Sequence, residues 1–372
     1  MNNLITLRTS KGEYLPGQTV FGAVYLHICR PTEATGITIS FKGLETCIYE
    51  YDCEGQQILK NETAHVDFSD VTLYSQAECF EFGSYVFPFK FDLPREIPGT
   101  FHCSGNGSKT CWQLDVSYML KAKAVGADIL QTWQPVIIYQ VEEQVLADAK
   151  CGLAQTATYD ASGRFFGRRR IHITAKLIEN LQKSGSNMRL RLIVTNPTKI
   201  RVTSFRILLL RYLRLCVWDK VTHKLLANME YNNDIFHIAP EGGPHVVYSQ
   251  EGDLRSVVLD QYSLELDALQ IPLREKTPGD DRERDIPASV VGKHIKNQYQ
   301  LEISVTFENQ HKEMFYLMLP GVLPVENQQW QQWTAPDWAF LADTKLSHSL
   351  FSVQESILRT EAFSGLPTFQ VL

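Results

Sequence analysis

Gly83-Ser-Tyr-Val-Phe-Pro-Phe-Lys-Phe-Asp-Leu-Pro-Arg-Glu-Ile-Pro-Gly-Thr-Phe101 sets Phe87, Phe89, Phe91 and Leu93 against Pro88, Lys90 and Asp92. That alternation predicts a strand with one buried and one solvated face. Proline turns then stop it abruptly. Upstream, Tyr14-Leu-Pro-Gly-Gln-Thr-Val-Phe-Gly-Ala-Val is a turn running into a strand whose Val20, Gly22, Val24, Leu26 and Ile28 share a face. Ile37, Ile39 and Phe41 keep the same period. So do Val116, Tyr118, Leu120 and Ala122, with Lys121 and Lys123 on the opposite side. Short strands between Gly, Pro and Asn turns predict antiparallel sandwiches.

Alternation lapses between about Gln140 and Phe166 and then resumes. Ile171 to Leu177 reads as a strand. Met188, Leu190, Leu192 and Val194 oppose Arg189 and Arg191 before an Asn196-Pro-Thr turn. Long strands follow from Val202 to Trp218 and from Tyr299 to Phe307. A chain of 372 residues suits two domains. The expected division is a first sandwich over 1–145, a hinge over 146–164, a second sandwich over 165–337 and a tail over 338–372. Leu269 to Lys293, polar and flanked by Pro, reads as a long exposed loop. In the tail, Phe340, Leu341, Leu346, Leu350, Phe351, Val353, Ile357 and Leu358 suit a short amphipathic helix packed on a folded domain.

A net charge of −6 argues against nucleic acid as a partner. No apolar run approaches about 20 residues, and no leader pattern opens the chain, so a cytosolic protein with reduced cysteines is expected. The eight cysteines, at 29, 47, 53, 79, 103, 111, 151 and 216, include no Cys-x-x-Cys pair. Cys103 and Cys111 bracket a Gly/Ser-rich loop that would let them approach, but free thiols are the expectation for the set. No metal site and no cofactor are expected. His65, His172 and His237 read as satisfied surface or core residues, not ligands. No Gly-x-Ser-x-Gly, His-Glu-x-x-His or Gly-rich phosphate loop occurs, so no catalytic residue is nominated.

The turn-strand from Tyr14, the stretch Gly83–Phe101 and Tyr118-Met-Leu-Lys-Ala-Lys-Ala, in this order and spacing, resemble the N-terminal domain of the arrestin superfamily, most closely the α-arrestins. Ile286-Pro-Ala-Ser-Val-Val-Gly-Lys-His-Ile-Lys-Asn-Gln-Tyr-Gln-Leu-Glu-Ile-Ser-Val305 and Gly185 to Asn196 resemble stretches of the arrestin C-terminal domain. The resemblance implies an all-β protein of two immunoglobulin-like sandwiches joined by a hinge. It implies a non-enzymatic adaptor that binds the cytosolic tails of membrane cargo and links them to sorting or ubiquitylation machinery. Such a protein is cytoplasmic, with peripheral recruitment to the plasma membrane or endosomes. The Pro-Pro-x-Tyr motif by which many α-arrestins recruit ubiquitin ligases is absent from this sequence. The alternatives are a coat subunit like the arrestin-fold member of retromer and, from another class, an enzyme built on a β-sandwich.

By the same resemblance, Arg8 and Lys121 would meet an acidic or phosphorylated cargo peptide. Lys11 and Lys123 would extend the basic row, since charge-assisted hydrogen bonds to phosphate oxygens suit Lys and Arg. The competing reading is a solvated outer sheet face. Arg168, Arg169 and Arg170 form a basic run near the hinge exit. Its partner is left open among the acidic Asp280–Asp285 segment, anionic lipid headgroups and plain solvation.

Overall fold

In a computed structural model the described residues are all but 1, 53–55, 107–109, 127–129, 142, 148–151, 162–168, 199, 219–224, 231–244, 255–262, 277–282, 347–353, 355–356 and 358–372. The architecture is all-β. In the first half the strands are β1 (Leu4–Thr9), β2 (Glu13–Tyr14), β3 (Thr19–Ile28), β4 (Gly36–Asp52), β5 (Gln56–Ser75), β6 (Gly83–Asp92), β7 (Phe101–Asn106), β8 (Thr110–Val125) and β9 (Gln131–Ile138). Helix α1 (Glu143–Ala147) follows. The second half holds β10 (Ala154–Ala161), β11 (Arg169–Leu177), β12 (Gln182–Lys183), β13 (Asn187–Thr195), β14 (Val202–Trp218), β15 (Leu225–Glu230), β16 (His245–Asp253), β17 (Ser263–Pro272), β18 (Arg274–Lys276) and β19 (Glu283–Asp285). It continues through β20 (Val290–Val291), β21 (Ile295–Phe307), β22 (Lys312–Met318) and β23 (Val322–Leu323). The chain then runs through α2 (Gln328–Gln331), a 3-10 turn at Asp337–Leu341 and β24 (Asp343–Thr344).

In the first half one layer is ordered β1-β3-β6-β24, and the facing layer β2-β9-β8-β4-β5, with β7 also on β8. The inward register of both layers meets in one core that includes Val24, Leu26, Phe41, Phe87, Phe89, Leu120 and Ala122. Gly22 occupies an inward position for steric reasons. A Cβ there would lie 2.3 Å from the Phe89 ring and 2.6 Å from the Arg8 carbonyl oxygen. In the second half β10-β11-β13-β17 faces β15-β14-β21-β20, with β16 on β14 and β22 on β21. Ile173, Leu190, Leu192, Leu209, Leu301 and Ile303 are among the residues that fill the space between them.

The two cores share a fastening. Tyr118 on β8 is buried and donates to the Pro98 carbonyl at 2.7 Å, and Tyr299 on β21 donates to the Pro287 carbonyl at 2.7 Å. Each proline follows a buried isoleucine, Ile97 or Ile286. Burial pushes both phenols well above their ordinary pKa, so both remain neutral donors.

Three expectations change. Pro88 is buried rather than solvated, and its carbonyl accepts from Gln354 at 3.1 Å, because the tail covers that side of β6. The stretch expected as a hinge contains β10, which pairs with β11; its Ala and Thr side chains give an edge strand little apolar signal. The segment after Leu269 is not a loop throughout. β17 runs to Pro272, β18 pairs with β19, and Ile286 is buried. Cys103 and Cys111 are free thiols, with Cys103 buried and Cys111 exposed. Cys53 and Cys151 lie outside the described residues.

Replacing Tyr118 by Phe removes one buried hydrogen bond and replacing Tyr299 by Phe removes two, the second accepted from Asn297 Nδ2 at 3.3 Å; each change leaves a carbonyl without its donor. Each change is expected to cost about 1–2 kcal/mol, read as a lower denaturation midpoint in urea.

Candidate functional site

Arg8 stands on β1 beside Leu7, but the two point to opposite sides. Leu7 enters the core, while Arg8 faces outward onto the segment that follows β23. That segment is anchored by Asn327. Its side-chain oxygen accepts from Trp330 N at 3.0 Å and caps α2. Its amide nitrogen donates to the Pro135 carbonyl at 2.9 Å, and its backbone N–H donates to Glu13 Oε1 at 3.1 Å. Trp330 is thereby laid over the turn after β1. Its Nε1 donates to the Thr9 carbonyl at 3.0 Å, and a Cβ on Gly12 would sit 3.1 Å from its ring.

The Arg8 guanidinium lies 3.7 Å from the centre of the Trp330 ring and 4.9 Å from that of Trp333, and it donates to the Trp330 carbonyl. These are cation–π contacts to both indoles. Among the described residues no carboxylate lies within 4 Å of Arg8. Burial lowers its pKa, but a guanidinium stays protonated in proteins. Arg8, 9% exposed, is therefore a cation held by aromatic faces and a carbonyl, with no described carboxylate beside it.

The tail continues across the same face. Trp333 Nε1 donates to Thr6 Oγ1 at 3.1 Å, Trp338 stacks on His27 at 5.1 Å, and Ala339, Ala342 and Ile357 pack with Ala23, Tyr25 and Val86. β24 pairs in parallel with β6, and Lys345 N donates to the Val86 carbonyl. The expected amphipathic helix is thus a 3-10 turn and a short strand as far as Thr344. Beyond Leu346 only Gln354 and Ile357 are described, both helical and buried. Because the tail pairs at the β6 edge, β1 is bonded only to β3 among the described strands. Lys11 is exposed just past its end.

Lys121 and Lys123 lie elsewhere. On β8 the core takes Leu120, Ala122 and Ala124, so both lysines point out from the other layer of the sandwich. The structure does not bring Arg8, Lys11, Lys121 and Lys123 into one row: Arg8 and the lysine pair face opposite sides. Of the basic run, Arg168 lies outside the described residues, Arg169 begins β11, and Arg170 is exposed. Asp285 pairs with Arg274 at 3.4 Å. His65 bonds Glu45, and His172 is exposed. His237 and Asp280 to Arg282 lie outside the described residues. Among the described residues no three His, Cys, Asp or Glu side chains gather as a metal set, and no helix is long and apolar enough to cross a membrane.

Two buried charges at the junction between the halves were not nominated from the sequence. Glu45 is 0% exposed. Its Oε1 accepts from the backbone N–H of His294 at 2.7 Å and of Ile295 at 2.9 Å. Its Oε2 accepts from Lys293 N at 2.9 Å and His65 Nε2 at 2.7 Å. Arg211 is 1% exposed. It donates to Asn297 Oδ1 at 2.9 Å and to Cys103 Sγ at 3.0 Å, with Glu275 at 3.7 Å. Both were visible as interruptions. Glu45 sits on the inward register of Ile37, Ile39, Phe41 and Cys47, and Arg211 on that of Phe205, Ile207, Leu209 and Leu213.

Residues 4–128 match the family model "Arrestin (or S-antigen), N-terminal domain". Over 320 residues the chain is 22% identical to "Arrestin domain-containing protein A" of Dictyostelium discoideum, a match covering 81% of this chain and 48% of that protein. The chain thus spans about half the length of the curated relative it matches. With the all-β fold, these findings support an arrestin-superfamily, α-arrestin-like protein.

Two substitutions test the site's construction. Trp330→Ala removes the indole that covers Arg8 and the turn after β1. Faster amide exchange is expected from Ala339 to Lys345, with exchange in β8 unchanged. Glu45→Gln sets an amide NH2 against the Lys293 N–H or the His294 and Ile295 N–H groups. A loss of about 1–3 kcal/mol is expected, seen as an earlier urea midpoint.

Proposed function

We propose that this protein is a non-enzymatic cytosolic adaptor that binds the tails of membrane cargo along the edge of β1 that pairs with no described strand. The supporting observation is that, among the described residues, β1 pairs with β3 alone and no carboxylate lies within 4 Å of Arg8. An extended peptide adding to that edge gains backbone hydrogen bonds. Acidic or phosphorylated side chains on it gain charge-assisted bonds from Lys11 and attraction to Arg8. Thr9 marks one end of the docking edge, because its carbonyl already accepts from Trp330. Sandwich 1–145 would carry the cargo site and sandwich 165–337 the contacts to sorting machinery. Since β10 pairs with β11, the hinge is proposed to precede Ala154. A ubiquitin ligase would have to be reached by a route other than Pro-Pro-x-Tyr.

A stoichiometric complex that survives purification would favour the retromer-like coat subunit instead. The discriminating titration uses a phosphorylated tail peptide and its unphosphorylated twin. Lys11→Glu is expected to weaken the phosphopeptide a few-fold, in keeping with about 0.5–1 kcal/mol for an exposed charge contact. Lys121→Glu with Lys123→Glu, on the far layer, should leave it unchanged. Equal affinity for both peptides, or loss only in the far-layer variant, overturns the β1 site.

A further inference from the structure

We infer that the outward face of β8 and β9 is a docking surface for an anionic lipid bilayer. On β8, Met119, Lys121, Lys123 and Val125 point away from the core; on β9, Gln131, Trp133 and Pro135 do so; on β4, Thr38, Ser40, Lys42 and Leu44 do so. The register places Lys121 between Ser40 and Trp133, and Met119 between Lys42 and Pro135. Trp133 is 56% exposed, Val125 40%, Met119 38% and Leu44 37%. The middle of a solvated sheet face ordinarily carries polar side chains. Here it carries an indole and a thioether ringed by three lysines.

The charge on this face is one-sided where the apolar groups lie. β9 carries no acidic residue, and neither does β8 from Val116 to Val125. Among the described residues neither Lys42 nor Lys121 has a carboxylate within 4 Å. Among the described residues the acids on this side are peripheral. Asp67 lies opposite Lys42 on β5, Asp70 bonds Ser40 Oγ, and Asp115 pairs with His102 toward the far end of β8. The cationic, aromatic centre is therefore displaced from β5 toward β9.

The chemistry of the occupant follows from the shape and the backbone. β8 lies between β4 and β9 and is bonded to both, so a peptide cannot add to it as a strand. What remains is a broad face that offers side chains alone. A tryptophan flanked by lysines matches the bilayer interface: the indole sits at headgroup level, and the lysine stems lie along it with their ammonium groups among lipid phosphates. Anionic headgroups supply the complementary charge. The inference goes beyond the cargo reading and stands without it, since this face and the β1 edge are separate surfaces.

The test uses the full chain without cargo and phosphatidylcholine vesicles with and without phosphatidylserine. Sedimentation is expected to show binding only to the phosphatidylserine vesicles, falling as salt rises. Lys121→Glu with Lys123→Glu should lower the partition coefficient at least about tenfold. Trp133→Ala should lower it several-fold while the salt dependence persists. Lys312→Glu, on β22 of the second half, should leave it unchanged. Near-native thermal unfolding of each variant separates lost docking from lost folding. Equal binding to both kinds of vesicle, or phosphatidylserine binding indifferent to the lysine reversal and to Trp133→Ala, overturns the proposal. So does a soluble phosphopeptide that needs Lys121 and Lys123 when the vesicles do not bind.

Discussion

The carboxylate of Glu45 carries the junction between the two halves. A carboxylate taken out of water costs several kcal/mol unless its lone pairs are met. Here they are met by three consecutive backbone N–H groups, Lys293 to Ile295, and by His65. The donors come from one turn of the second half and the acceptor from a strand of the first, so neither half satisfies itself alone. Gly292 makes the approach feasible: a Cβ there would come within 2.5 Å of Glu45 Oε1. Gln140 works alongside, with its Oε1 accepting from Val291 N at 2.7 Å and its Nε2 donating to the Val291 carbonyl at 2.9 Å. Arg211 adds a cation from β14 that reaches Cys103 on β7. Leu213, Val290 and Ile295 of the second half close the first core above these groups. A buried polar seam of this kind fixes one relative placement, because sliding it would strand a charge.

The tail imposes a second constraint. A sheet layer with apolar residues on both faces needs cover on both sides, and β3 and β6 are of that kind. Val24 and Phe87 face the core, while Ala23, Tyr25 and Val86 face out. The tail provides the cover, and it crosses Arg8 to do so. The outward side of this layer is occupied up to β6, while the far edge of β1 pairs with no described strand. Cargo binding at that edge would not require the tail to leave. The indoles that hold Arg8 also keep its charge close to the edge.

Most of the fold was legible because period-two alternation is dense in this chain. Phe87 to Leu93, Met188 to Val194 and Tyr299 to Phe307 all lie buried as their spacing predicts. What was misread lacks that signal for physical reasons. β10 is an edge strand of Ala and Thr, so its residues need not be large. Pro88 looked solvated because alternation describes a strand and says nothing of what a distant tail lays across its other side. The candidate site was less legible for the same reason. Arg8, Lys11, Lys121 and Lys123 are alike as residues, and only the pairing of strands into two layers reveals that they face different ways. Glu45 and Arg211 were readable as charges on an inward register, an irregularity that marks a partner arriving from elsewhere in the chain.

The two layers of the first sandwich therefore have different chemistry. One is sealed by tryptophans of the tail and offers an edge; the other offers a broad face with Trp133 and three lysines at its centre. An adaptor must hold a cargo segment while that segment is tethered to a bilayer. Surfaces on separate layers can be occupied together, since neither uses the backbone or the cations of the other. Their energetics differ as well. Strand addition joins backbone hydrogen bonds, little affected by ionic strength, to the charge contacts of Lys11, whereas a face that offers side chains alone relies on attraction that salt screens. Two weak contacts with the same tethered assembly reinforce each other through effective concentration. Neither surface would then have to be strong alone: each contact would raise the local concentration for the other.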